Sequence, residues 1–307
     1  MTVVVFGSIN MDLTAYVPAL PRPGETLFGS SYITVPGGKG ANQAVAAARL
    51  GAPTRFVGRV GQDGFGEQVR RAVGNEGVDM RAVAVDPDNG TGLAVISVDE
   101  AAENAIIVIS GANMALDDSD VSRCVALLDE ARVLLLQMEV PLQASLAVAR
   151  AARERDVTLV FDPAPASPLP DEAYALFDVI TPNEVEAEIL LGARPTTRDE
   201  AQEAAAALCA RGVRGAIVKM GAQGAAYATD AESGFIPAFP VDAIATVAAG
   251  DAFNGGLAVA LSEGKALPAA VRWASAAGAM ATTRPGAVPA MPRREEVLRL
   301  LQAPGGA

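Results

Sequence analysis

The run Val133-Leu134-Leu135-Leu136-Gln137, a helical stretch over residues 142–155, and the run Thr158-Leu159-Val160-Phe161-Asp162 decide the fold class. Neither short run alternates apolar with polar residues, and each ends on a polar one. Strands of this kind are covered on both faces, as in parallel sheets with helices above and below. Residues 142–155 set Leu, Ala and Val at helical spacing, with Arg and Gln between them. The same rhythm extends outward from this unit. Strands are expected at 3–6, 54–60, 133–137, 158–162, 179–182 and 216–219, and helices at 41–50, 66–76, 142–155, 184–191 and 198–211. The pattern predicts an α/β fold with a doubly wound, mostly parallel sheet and helices on both faces. The 307 residues suit one domain spanning 1–307. Two segments break the rhythm. Residues 15–35 are rich in Pro, Gly and aromatics, and residues 90–110 read as strands 92–98 and 104–109 around a polar turn at 99–103. Together they predict a small β layer over one edge, whose open strands need a partner. Two surface hairpins without function are the alternative.

Composition removes several classes of function. No apolar run reaches the length of a membrane span, and the N-terminus has neither a basic flank nor a small-residue cleavage site. Cys124 and Cys209 are far apart and lack metal spacing, so two small buried side chains in a reducing, cytoplasmic setting are expected. The formal net charge of −12 argues against nucleic acid and anionic membrane as partners. Binding an anion then requires local devices such as helix starts, a metal ion or a few placed cations. The chain has no histidine, which excludes His-based triads and His-ligated metals and leaves a carboxylate as the natural general base.

Four constellations carry chemistry. The first is Pro36-Gly37-Gly38-Lys39-Gly40-Ala41-Asn42, which opens a helix and lacks the spacing of a Walker A loop. With Asn10 and Asp12 after the first strand, it offers paired donors and acceptors that suit a polyol. The second is Thr181-Pro182-Asn183-Glu184-Val185-Glu186, in which Asn183 and Glu186 share a helical turn. They read equally as a capping box and as a pair able to order water around Mg²⁺. The third is Gly221-Ala222-Gln223-Gly224, after the strand that ends at Lys219. The fourth is Ala248-Ala249-Gly250-Asp251, where small residues at a helix start favour an anion and Asp251 can face an attacking hydroxyl. Taken alone, each also reads as a turn or a helix cap.

In this order and register the constellations resemble the ribokinase family of ATP-dependent sugar kinases, the PfkB group. The likeness runs from Gly7 to about Pro292 and includes Gly7-Ser8-Ile9-Asn10-Met11-Asp12, Pro23-Gly24-Glu25-Thr26 and Asp162-Pro163-Ala164-Pro165. It implies a ribokinase-like fold with the small β layer as a lid that pairs with a second subunit to make a homodimer. It implies sugar binding by Asn10, Asp12, Gly38, Lys39, Gly40, Asn42 and Glu139. Asn183, Lys219, Gly221, Gly224, Gly250 and Ser275 would serve the nucleotide, with Glu186 reaching Mg²⁺ through water. Ala248, Ala249 and Gly250 would form an anion hole, and Asp251 would deprotonate a primary hydroxyl. ATP and a pentose, ribose first, would then give a sugar 5-phosphate and ADP. Deoxyribose, a ketohexose or a nucleoside is the alternative acceptor, and a catalytically silent sugar-binding protein is the alternative of another class. Lid side chains such as Ile107 and Ile109 would shape the sugar pocket.

The resemblance fails at one place. Family members carry an aspartate six residues before the base and a serine late in the C-terminal loop, both ligands for an activating K⁺. Here these positions are Ala245 and Ala290. Backbone carbonyls of Val247, Ala281, Arg284 and Gly286 remain as candidates, with Asp242, three residues upstream of Ala245, as an alternative carboxylate, and a hard cation wants a fuller oxygen shell. The expectation is activity that depends little on K⁺. Lys219 also stands where the family often has Thr, so it either places a cation near the phosphates or turns to solvent.

Overall fold

In the computed structural model, which describes residues 2–101 and 103–303, the unbroken apolar runs become strands of one large sheet. Met1, Ala102 and residues 304–307 lie outside the described residues, and with them the extreme ends of the expected 1–307 unit and part of the expected turn at 99–103. In chain order the elements begin with β1 (Thr2–Phe6), β2 (Asn10–Tyr16), β3 (Ser31–Gly37), α1 (Lys39–Arg49), β4 (Thr54–Gly61), α2 (Gly64–Asn75) and β5 (Val78–Asp86). Next come β6 (Gly92–Val98), β7 (Asn104–Ile109), α3 (Asp118–Leu128), β8 (Ala131–Leu136), α4 (Leu142–Arg153), β9 (Thr158–Phe161), α5 (Asp171–Tyr174) and β10 (Val179–Ile180). The chain continues with α6 (Glu184–Leu191), α7 (Arg198–Ala210), β11 (Gly215–Lys219), β12 (Gly224–Thr229), β13 (Ser233–Pro237), α8 (Ala249–Ser262), α9 (Leu267–Thr282) and α10 (Arg294–Gln302).

The large sheet has nine strands in the order β13-β12-β11-β10-β9-β8-β1-β4-β5. Neighbours from β11 to β5 are parallel, while β12 and β13 are antiparallel additions at one edge. Strand β1 shows why the sheet is covered on both faces. Val3 and Val5 point into one apolar cluster with residues of α1, α8 and α9, whereas Val4 and Phe6 point into another with residues of α3 and α4. All four are fully buried, and each such side chain contributes roughly 1.5–3 kcal/mol by leaving water. From β1 the chain winds outward through β4 and β5, then returns to β8 and winds the other way. The order therefore reverses between β1 and β8, and ligands of such sheets bind beyond the carboxyl ends of the strands at that point.

The smaller sheet has the order β3-β2-β6-β7 and forms the lid. Strands β6 and β7 fall where the sequence places them. Strands β2 and β3 span residues 10–37 with an irregular connection, rather than residues 15–35. The start is earlier because residues 10–14 alternate polar with apolar side chains, a strand pattern that the following Pro- and Gly-rich segment obscures. Asn10 and Asp12 consequently sit on the lid. Among the described residues no helix is long and apolar enough to cross a membrane.

Candidate active site

Helix α8 begins without a side-chain cap. Its N-cap, Ala248, is left-handed at φ 59°, ψ 12°, a conformation that costs a non-glycine residue roughly 1–2 kcal/mol. Ala248, Ala249, Gly250 and Asp251 all line a cavity of about 870 Å³. An uncapped helix start on a cavity wall favours an anion there. Helix α8 also crosses α1 closely, because a Cβ on Gly255 would lie 2.5 Å from the Ala46 Cβ and 2.8 Å from the Gln43 carbonyl oxygen. This contact delivers Asp251 to two amides. Asn42 Nδ2 donates to Oδ2 at 2.9 Å and Gln43 Nε2 donates to Oδ1 at 3.1 Å. Burial pushes the Asp251 pKa up to about 6; the Asp162 charge adds to the rise, while Lys39 and the two amides oppose it. A carboxylate of this basicity is ionised at neutral pH and better able than an ordinary aspartate to accept a hydroxyl proton.

The hydroxyl-binding candidates meet on the other side of Asp251. Gly38 is the N-cap of α1 at φ 87°, and a Cβ there would lie 2.9 Å from the Asn10 nitrogen. Only glycine lets this loop fold onto the turn after β1. Gly40 N donates to Ser8 Oγ at 3.3 Å. Glu139, just past β8, accepts from Ser8 Oγ at 2.5 Å and from Lys39 N at 2.9 Å. Asn10 Oδ1 accepts from Asn113 Nδ2 at 2.6 Å, and Asn113 is itself fixed by the Ile9 N–H at 3.0 Å. The Asp12 pKa also rises to about 6, through burial first and then the charges of Glu139 and Asp251. Burial alone would lower the pKa of Lys39, but Asp251, Asp162, Glu139 and Glu186 hold it above its ordinary value. Lys39 is thus the cation on which both sides of the site converge.

On the cavity side, Asn183 and Glu186 form the capping box of α6. Glu186 N donates to Asn183 Oδ1 at 2.8 Å, and Asn183 N donates to Glu186 Oε2 at 2.7 Å. Both residues also line the cavity, so the cap and the site are the same feature. Burial raises the Glu186 pKa against the pull of Lys219. Lys219 does not turn to solvent. Its Nζ donates to Asp162 Oδ1 at 3.1 Å and stands 3.5 Å from the point a Gly250 Cβ would occupy. Gly221, Gly224 and Ser275 complete this wall, and the buried Ser275 Oγ has no hydrogen-bond partner among the described residues. The chain has three lysines, Lys39, Lys219 and Lys265, of which the first two line the cavity. Placed cations and a helix start thus answer how so acidic a chain can receive an anion.

Several expected residues lie elsewhere. Asn10, Asp12, Gly38, Gly40, Asn42 and Glu139 do not line the large cavity and reach it through Lys39 and Asp251. Ile107 and Ile109 are 64 % and 50 % exposed on β7, so they do not shape a pocket within this chain. Ala245, Val247, Ala281, Arg284, Gly286 and Ala290 also lie outside the cavity lining. Ile244 N and Ala245 N donate to the Thr282 carbonyl at 2.7 and 3.1 Å, which ties this loop to the end of α9. The Arg284 side chain pairs with Glu296. No group of three or more His, Cys, Asp or Glu among the described residues could hold a metal ion. Conversely, Gln43, Asn113, Asp162 and Gln137 were given no role from the sequence. A glutamine within the Ala-rich run of α1 was the available signal for Gln43; Asn113 offered none.

A buried carboxyl beside an uncapped helix start, with polar groups on one side and a cavity on the other, fits a phosphotransferase with an alcohol acceptor. Residues 1–294 match the pfkB family carbohydrate kinase, and the chain belongs to that family. It is 41 % identical over 301 residues to the ribokinase of Haemophilus influenzae, a match covering 98 % of each chain. It is 34 % identical over 297 residues to the deoxyribokinase of Salmonella typhi, covering 96 % of this chain and 97 % of that one. The structure of Arabidopsis thaliana ribokinase complexed with ribose and ATP matches with a TM-score of 0.92 at 34 % identity, covering 98 % of this chain and 99 % of that one.

Proposed function

We propose that the chain phosphorylates D-ribose with ATP, giving D-ribose 5-phosphate and ADP. The carrying observation is the place of Asp251: a buried carboxyl in the first turn of an uncapped helix, between the hydroxyl-binding set and the anion cavity. Asn10, Asp12, the Gly38, Lys39, Gly40 and Asn42 loop and Glu139 hold the sugar. The primary hydroxyl faces Asp251, which takes its proton as the oxygen attacks the γ-phosphorus. The new O–P bond forms as the bond to the β-phosphate oxygen breaks, and ADP leaves. The start of α8 (Ala248, Ala249, Gly250) with Lys39 and Lys219 stabilises charge on the transferring group. Asn183 sits beside the phosphates, and Gly221, Gly224 and Ser275 take the nucleoside end.

The residues present fit Mg²⁺ bound with ATP. Both Glu186 oxygens already accept from Asn183, at 2.7 and 3.0 Å, which suits holding the ion through water rather than directly. When bound, the ion neutralises phosphate charge. The residues do not fit an activating K⁺, since Ala245 and Ala290 present methyl groups, and no step depends on one. The chain functions as one unit in the cytoplasm, with Cys124 and Cys209 as free thiols. A second copy covers the exposed Ile106, Ile107, Val108 and Ile109 of the lid.

Deoxyribose is the second reading, favoured by the likeness to a deoxyribokinase. ADP release measured with ribose, deoxyribose, fructose and a nucleoside decides between them. The highest kcat/KM is expected with ribose. A preference for deoxyribose moves the substrate, and no ADP with any acceptor overturns the kinase reading.

A further inference from the structure

We infer that Gln43 is a positioning residue for Asp251: its buried amide ties the base to the Asp162–Lys219 ion pair on the nucleotide side, and Gln137 fixes the direction in which that amide faces. The inference rests on Asp251 being the base.

Helix α1 buries small and apolar side chains at Ala41, Ala44, Val45, Ala46 and Ala47, and with them two amides, Asn42 and Gln43, of which Gln43 is fully buried. An unpaired amide there would cost about 1–3 kcal/mol. Every polar atom of this one is engaged. The two hydrogens of Nε2 go to two carboxylates, Asp162 Oδ2 at 2.8 Å and Asp251 Oδ1 at 3.1 Å. Oε1 accepts from Gln137 Nε2 at 2.8 Å. A flipped amide would set its oxygen against both carboxylates and its NH₂ against that of Gln137, so one orientation is enforced. Gln137 in turn occupies the space left by Gly7, where a Cβ would lie 2.0 Å from Gln137 Oε1. The ends of β1 and β8 and the first turns of α1 are all shaped around this one amide.

Gln43 does not line the cavity, so it acts through its partners. Asp162 continues the chain of contacts to Lys219 Nζ at 3.1 Å, next to the start of α8. Besides the two amides, the charged groups that face Asp251 are Lys39 on α1, Asp162 after β9 and Asp12 on β2. A donor shared by two neighbouring carboxylates lets both stay ionised. Without it Asp251 is a weaker acid, and its geometry no longer follows Lys219.

The test compares Gln43→Leu and Gln137→Met with the parent. The Asp251 side-chain carboxyl is titrated by carboxyl-carbon NMR, its signal assigned by loss in Asp251→Asn. The expected midpoint rises by about one pH unit in Gln43→Leu, the worth of a hydrogen bond to a charged group, and by less in Gln137→Met. The acid limb of kcat moves with it, while the sugar KM stays within about twofold. An unmoved midpoint in Gln43→Leu, or a raised sugar KM at unchanged kcat, overturns the proposal. Should Gln43→Leu fail to fold, Gln137→Met decides: an unmoved midpoint refutes the proposal and a small rise supports it. The NMR titration needs no turnover, so failure of every sugar to yield ADP would break the kinase reading without touching this result.

Discussion

Strand β8 of the large sheet buries Val133, Leu134, Leu135 and Leu136 completely, whereas β7 of the lid leaves Ile106, Ile107, Val108 and Ile109 exposed at 55, 64, 60 and 50 %. The side chains are of one kind; the surroundings differ. Two apolar clusters of the chain itself close over the large sheet, one on each face. Among the described residues β7 is the last strand of its sheet and pairs only with β6. An apolar, unpaired edge of this sort invites another chain. The difference teaches where each sheet finds its stability. The large sheet finds it within the chain and can therefore carry chemistry at its strand ends, while the chain itself leaves the outer edge of the lid uncovered.

The strongest way to sharpen this division is Asp251→Ala, which should remove the chemistry and leave both sheets intact. A loss in kcat of at least about 10²–10⁴-fold is expected, with sugar binding by calorimetry retained. Near-normal turnover would sink the assignment of the base. Next is a paired truncation followed by urea unfolding. Leu135→Ala should cost about 2–5 kcal/mol, but Ile107→Ala, measured at a concentration low enough to keep copies apart, only about 0.5 kcal/mol or less. Equal costs would break the comparison outright. The pH dependence of kcat comes third. As the base, Asp251 would have to be ionised to take a proton, and burial raises its pKa to about 6, so the rate should fall as pH drops through that value. A flat profile down to about pH 5 would contradict it. Then comes Ile107→Asp with Ile109→Asp, expected to halve the mass seen by light scattering and to lower the melting temperature, because separation removes the stabilisation that association supplies. A parent already monomeric at micromolar concentration would refute the lid pairing. The smallest effect is expected from KCl added to K⁺-free, Na⁺-free buffer, less than about twofold in initial rate. A large activation would show that the backbone carbonyls near Ala245 suffice.

What could be read from the sequence follows the same division. Runs such as 133–137 announced the buried parallel strands because burial on both faces leaves no alternation to misread. Strand β5 is not among the expected strands although Val78-Asp79-Met80-Arg81 alternates as a half-buried strand does, and β12 is not because alanines at 225, 226 and 228 carry little strand preference. Helices α3, α9 and α10 are likewise not among the expected helices, although Asp117 and Asp120 form a capping box at the start of α3. In the site, Asp251, Lys39 and the 183–186 pair stood in recognisable strings. Asn113 did not, because its role depends on a fold that brings residue 113 to Asn10 from far along the chain. The sequence left Lys219 with two directions, and only the nearby carboxylate of Asp162 chooses between them.

Asn10 and Asp12 lie on β2, an inner strand of the lid between β3 and β6. On the proposed reading, a second copy seated on β7 and a sugar held at the base of β2 would act on the same four strands. Reciprocity then applies: whatever factor the sugar gains from association, association gains from the sugar. Half-saturation would become a function of enzyme concentration. The dose of enzyme in a cell would set its sensitivity to the sugar as well as its capacity.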